Sequence, residues 1–286
     1  MPRFAVPFGV SDVHATPEDT RRPGPGSVLR FVLGVALLFV FGGLALQVLL
    51  GQAGLLAAEW LLLFLPALWW TARTGVDPVR FLSLSPPSGL GLAGALLLGA
   101  GALPLGWVLG WLQTFVIPVP EELLAGLEAL VTAESPAQLV WLLVMVAVTP
   151  AVCEEVVFRG VLLGGTRSLA PWRMILLNGL VFGAFHLSLA SPIRFLPTAA
   201  LGCVIAFAVW RTGSLWSGVA MHFVNNAAIV VIASTPALGA AFSDPYAPPP
   251  LASVVGGGIA FAAGLGILLR TPPSGGVYSH PLSPPS

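Results

Sequence analysis

Two adjacent carboxylates, Glu154 and Glu155, lie in a strongly apolar run that reads Thr149, Pro150, Ala151, Val152, Cys153, Glu154, Glu155, Val156, Val157, Phe158, Arg159. Successive helical positions turn by about 100°, so the two acids cannot share a direction, and only Glu155 stands one turn before Arg159. This spacing pairs Glu155 with Arg159 and keeps it ionised and structural. Glu154 is left free to face a cavity and take a proton from water. Farther along, Phe182 and His186 stand one turn apart, as do His222 and Asn226, so each pair shares a helix face. Amide hydrolysis needs a general base, a water and donors aimed at the developing oxyanion, and an acid, two imidazoles and a carboxamide are suited to those roles.

The elements that must carry these residues are membrane helices. The 286 residues are 56% hydrophobic and 8% charged, with a mean hydropathy of +0.92, far outside the range of soluble domains. Twelve basic residues, all arginine, balance twelve acidic ones, which argues against a nucleic-acid partner. Two cysteines, Cys153 and Cys203, sit in apolar segments and suggest no disulfide framework. A spanning helix needs about 20 apolar residues. Such runs fall at about 28–50, 53–72, 89–116, 137–160, 172–190, 193–210, 214–233 and 251–269. The fold class expected is therefore all-α, a polytopic bundle of about eight transmembrane helices.

The link Gly51, Gln52, Ala53 is so short that the first two spans must form an antiparallel hairpin. Alternating sides along eight spans puts Arg3, Arg21, Arg22, Arg30, Arg73, Arg80, Arg167, Arg173, Arg211 and Arg270 on one side and only Arg194 on the other. By the positive-inside rule both termini are then cytoplasmic, in a multi-pass protein of the plasma (inner) membrane. The opposite side receives Glu121, Glu122, Glu128 and Glu134.

The organisation read from the chain is a cytoplasmic tail over 1–26 without the apolar core and cleavage site of a signal peptide; helices and an acidic outer loop over 27–136; a core over 137–231; a loop and last span over 232–270; and a Pro, Ser and Gly-rich tail over 271–286. Both tails are expected to be disordered. The lack of lysine and the Ala, Gly, Pro and Arg bias suggest a high-GC bacterial genome.

Ionisable residues within hydrocarbon cost roughly 2.5 to 3.5 kcal/mol each on insertion scales and mark functional sites by default. Counting from the flanking arginine to the polar residue gives about 13 positions from Arg167 to Glu154, about 13 from Arg173 to His186 and about 11 from Arg211 to His222. At about 1.5 Å per residue these are similar depths, so three helices can bring the groups to one level.

The motifs EExxxR, FxxxH and HxxxN, in this order on separate spans, resemble those of the CAAX prenyl protease and bacteriocin-processing family, also called Abi, of intramembrane endopeptidases. The resemblance covers about residues 137–231. It implies that Glu154, assisted by His186, activates a water for attack on a peptide carbonyl within the membrane, that His222 and Asn226 hold the oxyanion, and that Glu155, Arg159 and Phe182 support the site. The substrate would be a peptide or a membrane-associated protein amid lipid. Members of the family have also been described as metal-dependent. In that scheme Glu154, His186 and His222 would hold a zinc ion. No HExxH motif is present, which favours a mechanism without a cofactor.

Other readings stand beside these. Buried polar residues in membrane bundles often serve only as hydrogen-bond links between helices. Mid-membrane acids and histidines also build proton relays, so a proton-coupled transporter is the alternative, and a non-catalytic immunity or scaffold protein could keep the same bundle. Glu59 and Gln113 read as structural or interfacial, and Asn178 and Asn225 stay open. Trp69, Trp70, Trp107, Trp111, Trp141, Trp172, Trp210 and Trp216 read as headgroup anchors. The glycines of 94–106 and 256–258 read as close helix contacts. A thiol at Cys153, buried in apolar surroundings, is inert, and His14 and His280 need no role. Leu123, Leu124, Leu127, Leu130 and Val131 at helical spacing form an amphipathic helix that lies at the interface, caps a cavity or touches a substrate.

Overall fold

In this computed structural model residues 23–187 and 192–272 are described. The expectations for the tails over 1–22 and 273–286, with Arg3, Arg21, Arg22, His14 and His280, lie outside them. The chain is all-α, with no strand among the described residues. The principal helices are α1 (Pro25–Leu50), α2 (Gln52–Arg73), α3 (Gly89–Thr114), the amphipathic α4 (Glu121–Val131), α5 (Pro136–Gly165), α6 (Pro171–Phe185), α7 (Phe195–Thr212), α8 (Leu215–Ala233) and α9 (Leu251–Arg270).

Local chemistry sets their ends. Proline opens α1, α5 and α6, where its missing N–H costs nothing. Ser88 accepts from the Gly91 N–H at 3.1 Å to cap α3, and Ser135 accepts from Gln138 N–H at 3.2 Å to cap α5. Gly213, at φ 67°, ends α7 in the left-handed conformation that lets α8 begin at once.

Seven helices are long and apolar enough to cross a bilayer, not eight. The exception is the expected span over 172–190, where α6 has 15 residues. That is about 22 Å of rise, short of a hydrocarbon core of about 30 Å. A count of apolar residues ran on past Phe185, whereas the helix stops there and His186 forms its cap. Residues 188–190 of that expectation lie outside the described chain.

Close contacts fix the topology. Gly54 abuts the Leu46 carbonyl and Gly43 the Ala58 side chain, so α1 and α2 form the expected antiparallel hairpin. Gly179 meets Ala199 and Cys203 while Gly183 meets Phe195 and Ala199, which makes α6 and α7 antiparallel too. The glycines of α3 and α9 are helix contacts: Gly101 lies on the backbone of Gly257 and Phe261, and Gly264 on that of Gly94 and Leu98. A methyl group at Gly101 or Gly264 would strike backbone, so only glycine admits this approach.

The ends of the bundle differ in charge. Arg167 donates to the carbonyls of Arg80 and Phe81, and Arg211 to those of Leu268, Leu269 and Thr271, which gathers Arg80, Arg167, Arg211 and Arg270 at one end. Arg194 starts α7 at the other, with α4 and the loop that precedes α9.

Candidate active site

The site is built on α5, α6 and α8, with α2 and α7 behind it. Helix α5 is not regular. It widens to a π turn over Leu143–Val148, returns to α-helix over Thr149–Glu155 and widens again over Val156–Leu162. Single π turns within helices recur at functional sites. Pro150 is one cause: lacking an N–H, it leaves the carbonyl four residues earlier, that of Val146, without its regular partner. Asn226 of α8 supplies a replacement, its Nδ2 donating to Val146 O at 2.9 Å. One residue of the predicted set thereby ties α8 to α5.

Glu155 and Arg159 pair as their spacing requires, Nη1 to Oε1 at 2.8 Å, and both side chains are wholly buried. Arg159 also donates from Nη2 to the Gly202 carbonyl at 3.1 Å and lies 4.3 Å from the Phe182 ring centroid. Those contacts bind α7 and α6 to α5. The role of Phe182 follows, since its ring packs on the guanidinium and, at 4.6 Å between centroids, against the His186 imidazole.

His222 differs from the sequence reading, which set it with Asn226 and with Glu154 and His186 but not with Glu155. Its Nδ1 lies 2.9 Å from the same Glu155 oxygen that Arg159 holds. Nδ1 therefore carries a hydrogen and donates it to the carboxylate, which fixes the ring and leaves Nε2 for other work. The two groups sit on different helices, so no spacing along the chain could reveal the contact. His222 is 3% exposed.

Glu154 takes a different direction. Its side chain is 6% exposed, with Oε2 at 3.7 Å from His186 Nε2 and no hydrogen-bond partner on that oxygen. The His186 Nδ1 is 2.9 Å from the Phe182 carbonyl, so it is the protonated nitrogen and Nε2 turns its lone pair toward Glu154. A separation of 3.7 Å is too long for a hydrogen bond. A water that donates one hydrogen to each group would satisfy both.

The buried charges of this group are opposed: Glu154 and Glu155 stand against Arg159 and, when it carries two protons, His222. Uncompensated charge in such a place would be costly. Asn178 of α6 donates to the Phe158 carbonyl of α5 at 2.7 Å, a link between helices, whereas Asn225 donates to Asn226 Oδ1 at 3.3 Å within α8.

Among the described residues no three His, Cys, Asp or Glu side chains gather closely enough to hold a metal ion. Glu154, His186 and His222 do not make that set in this arrangement, with Glu154 facing His186 while His222 is turned onto Glu155.

Two features escaped sequence reasoning, and the structure selects among the readings of a third. Glu59, read as structural or interfacial, is 3% exposed, begins a π turn in α2, has Oε2 buried without a partner and lies within Coulombic reach of Glu154. The signal available was its place six residues into a span with no nearby cation. Trp107 and Trp111, read as anchors, instead line a cavity on the outer side of the site. Trp107 packs on Phe242 at 4.1 Å and Trp111 Nε1 donates to the Tyr246 carbonyl at 3.1 Å. Leu123, Leu124 and Leu127 of α4 line that cavity as well, so the amphipathic helix is a cap and its acidic face points outward.

Residues 136–228, about a third of the chain, match the family described as Rce1-like, type II CAAX prenyl endopeptidase Rce1-like. The match spans all three motifs and agrees with the resemblance they carry. No curated protein and no solved structure matches the chain.

Proposed function

We propose that this multi-pass membrane protein, whose residues 136–228 are of the Rce1-like kind, is an intramembrane endopeptidase of the CAAX-protease type that hydrolyses a peptide bond of a membrane-associated protein or peptide. The observation that carries the reading is the separation of the two adjacent acids: Glu155 is held at Oε1 by Arg159 and His222, with its Oε2 unpartnered, while Glu154 makes no hydrogen bond among the described residues and stands 3.7 Å from His186.

In this reading a water donates one hydrogen toward His186 Nε2 and loses the other to Glu154 as its oxygen attacks the peptide carbonyl carbon. The carbonyl oxygen becomes an oxyanion, held by a hydrogen on His222 Nε2 and by the second Nδ2 hydrogen of Asn226, the first being engaged with Val146. Glu155 supports the charge on His222 through Nδ1. The carbon to nitrogen bond then breaks as the proton on Glu154 passes to the departing amine, which restores the carboxylate. No step needs a metal, and the arginine-rich end of the bundle faces the cytoplasm by the positive-inside rule, in the plasma membrane. Maturation of peptides or membrane proteins is the favoured task, prenylated substrates being one class among several.

The test is a digest of apolar membrane peptides by purified protein in bilayers, with products read by mass spectrometry. Glu154→Gln is expected to abolish cleavage, by at least about 100-fold, while the purified variant elutes as the native protein does. A chelator leaves the native rate unchanged. Full activity of Glu154→Gln would overturn the assignment of the base, and loss on chelation reversed by zinc would replace the metal-free scheme.

A further inference from the structure

Glu59 of α2 lies outside the stretch over 136–228 that matches the family, and no step of the proposed reaction uses it. It opens the π turn Glu59–Phe64, and that turn packs on Thr149–Glu155, the regular stretch of α5 between its own two π turns. Two irregular helices therefore meet beside Glu154. The Glu59 side chain is buried there with Oε2 unpartnered. Among the described residues the ionisable groups that face it are Glu154 and Cys153, both on α5. No cation is among them. Arg159 is taken by Glu155 and the Gly202 carbonyl, and Arg194 faces Glu154 from the start of α7. The charged residue of α1, Arg30, sits at its far end, and Arg73 stands fourteen positions along α2, about 20 Å of rise away.

A carboxylate so placed would be a bare charge in an apolar interior and a like charge beside Glu154. An O–H without an acceptor costs less than that. Glu154 must be ionised to draw a proton from water, so of the two acids Glu59 is the one that holds a proton. We propose that Glu59 is a positioning residue for Glu154, a neutral carboxyl whose O–H dipole steadies the negative charge opposite His186. The proposal rests on the peptidase reading and adds a residue to its machinery. A hydroxyl hydrogen rotates to suit the field around it, and the charge within reach is that of Glu154. The O–H therefore turns its positive end toward Glu154 and stabilises it without touching the substrate. As Glu154 takes a proton from water, the pair holds two protons and no charge. As that proton leaves with the amine, the pair returns to one proton and one charge, and Glu59 keeps its own throughout.

The experiment uses the full chain in bilayers and reads two things: the infrared band of protonated carboxyl groups at neutral pH, and steady-state cleavage of an apolar membrane peptide. Native protein is expected to show a protonated-carboxyl band that Glu154→Gln keeps and Glu59→Gln removes. Glu59→Leu is expected to lower kcat by about 5- to 30-fold, the worth of one hydrogen-bond-scale interaction with a charge, with KM unchanged. Glu59→Gln restores most of that loss, because its amide supplies a neutral dipole of similar shape. Thermal unfolding of both variants separates this role from damage to the fold, since Glu59→Leu loses turnover without losing stability. A band that survives Glu59→Gln overturns the proposal, as does Glu59→Gln cleaving as poorly as Glu59→Leu. So does Glu59→Leu cleaving as well as native protein, or losing stability in step with turnover. A band lost in Glu59→Gln with no cleavage by native protein leaves the proton on Glu59 and sinks the peptidase reading instead.

Discussion

Arg159 offers the sharpest test of how the site is held, because a wholly buried cation joins three helices, α5, α6 and α7. Replacing it with methionine keeps the length and apolar volume of the stem but removes the partner of Glu155 at 2.8 Å, the bond to the Gly202 carbonyl at 3.1 Å and the stack on Phe182. Breaking a buried ion pair by deleting one member costs about 3 to 5 kcal/mol, since the other charge is left without compensation. The folding equilibrium should therefore fall by roughly two to four powers of ten. His222 Nδ1 still donates to Glu155 at 2.9 Å, which places the expectation at the lower end. The assay is reversible unfolding in mixed micelles by denaturing detergent, followed by tryptophan emission. Changing both residues, as Glu155→Gln with Arg159→Met, removes the stranded charge, so the double variant should be more stable than Arg159→Met alone by at least about 1 kcal/mol. A single variant that loses less than about 1 kcal/mol, or a double variant no better than the single one, would refute this account of the pair.

Asn226→Ala should abolish oxyanion support and also strand the Val146 carbonyl, at a cost of about 1 to 3 kcal/mol. Adding Pro150→Ala supplies an N–H for that carbonyl and should recover stability but not cleavage, in thermal unfolding and peptide digestion of the two variants; recovery of both would make Asn226 purely structural. Glu59→Leu should raise stability by about 1 kcal/mol, because it deletes a buried oxygen without a partner, and should lower turnover by removing a group within charge reach of Glu154. Lower stability in that variant would show that the carboxyl is satisfied after all.

What the sequence disclosed depended on whether the determining contact lay along one helix or between two. The Glu155 and Arg159 pair was legible because four residues separate its members, and the α1 to α2 hairpin because three link residues permit nothing else. The similar depths of Glu154, His186 and His222 followed from rise per residue. The grip of Glu155 on His222 was not legible, since rotation of α8 about its own axis decides which imidazole nitrogen meets which acid. The bond from Asn226 to Val146 had half a signal in Pro150, which announces an orphaned carbonyl without naming its partner. Trp107 and Trp111 looked like headgroup anchors because position near a span end does not reveal which side of a helix a loop will cover. The eight expected apolar runs correspond to seven helices long enough to cross and the shorter α6, because hydropathy does not register where a helix stops.

That early stop has a consequence for the lipid. On the proposed reading, a helix with about 22 Å of rise against about 30 Å of hydrocarbon would have the bilayer thin beside His186, or water descend to meet the helix end. Either response softens the membrane locally and lowers the work of unwinding a neighbouring segment into extended form. If the chain is the peptidase proposed, elastic deformation of the surrounding sheet would deliver both reactants, solvent and a pliable chain, to the same depth, and bilayer thickness would be expected to alter the rate.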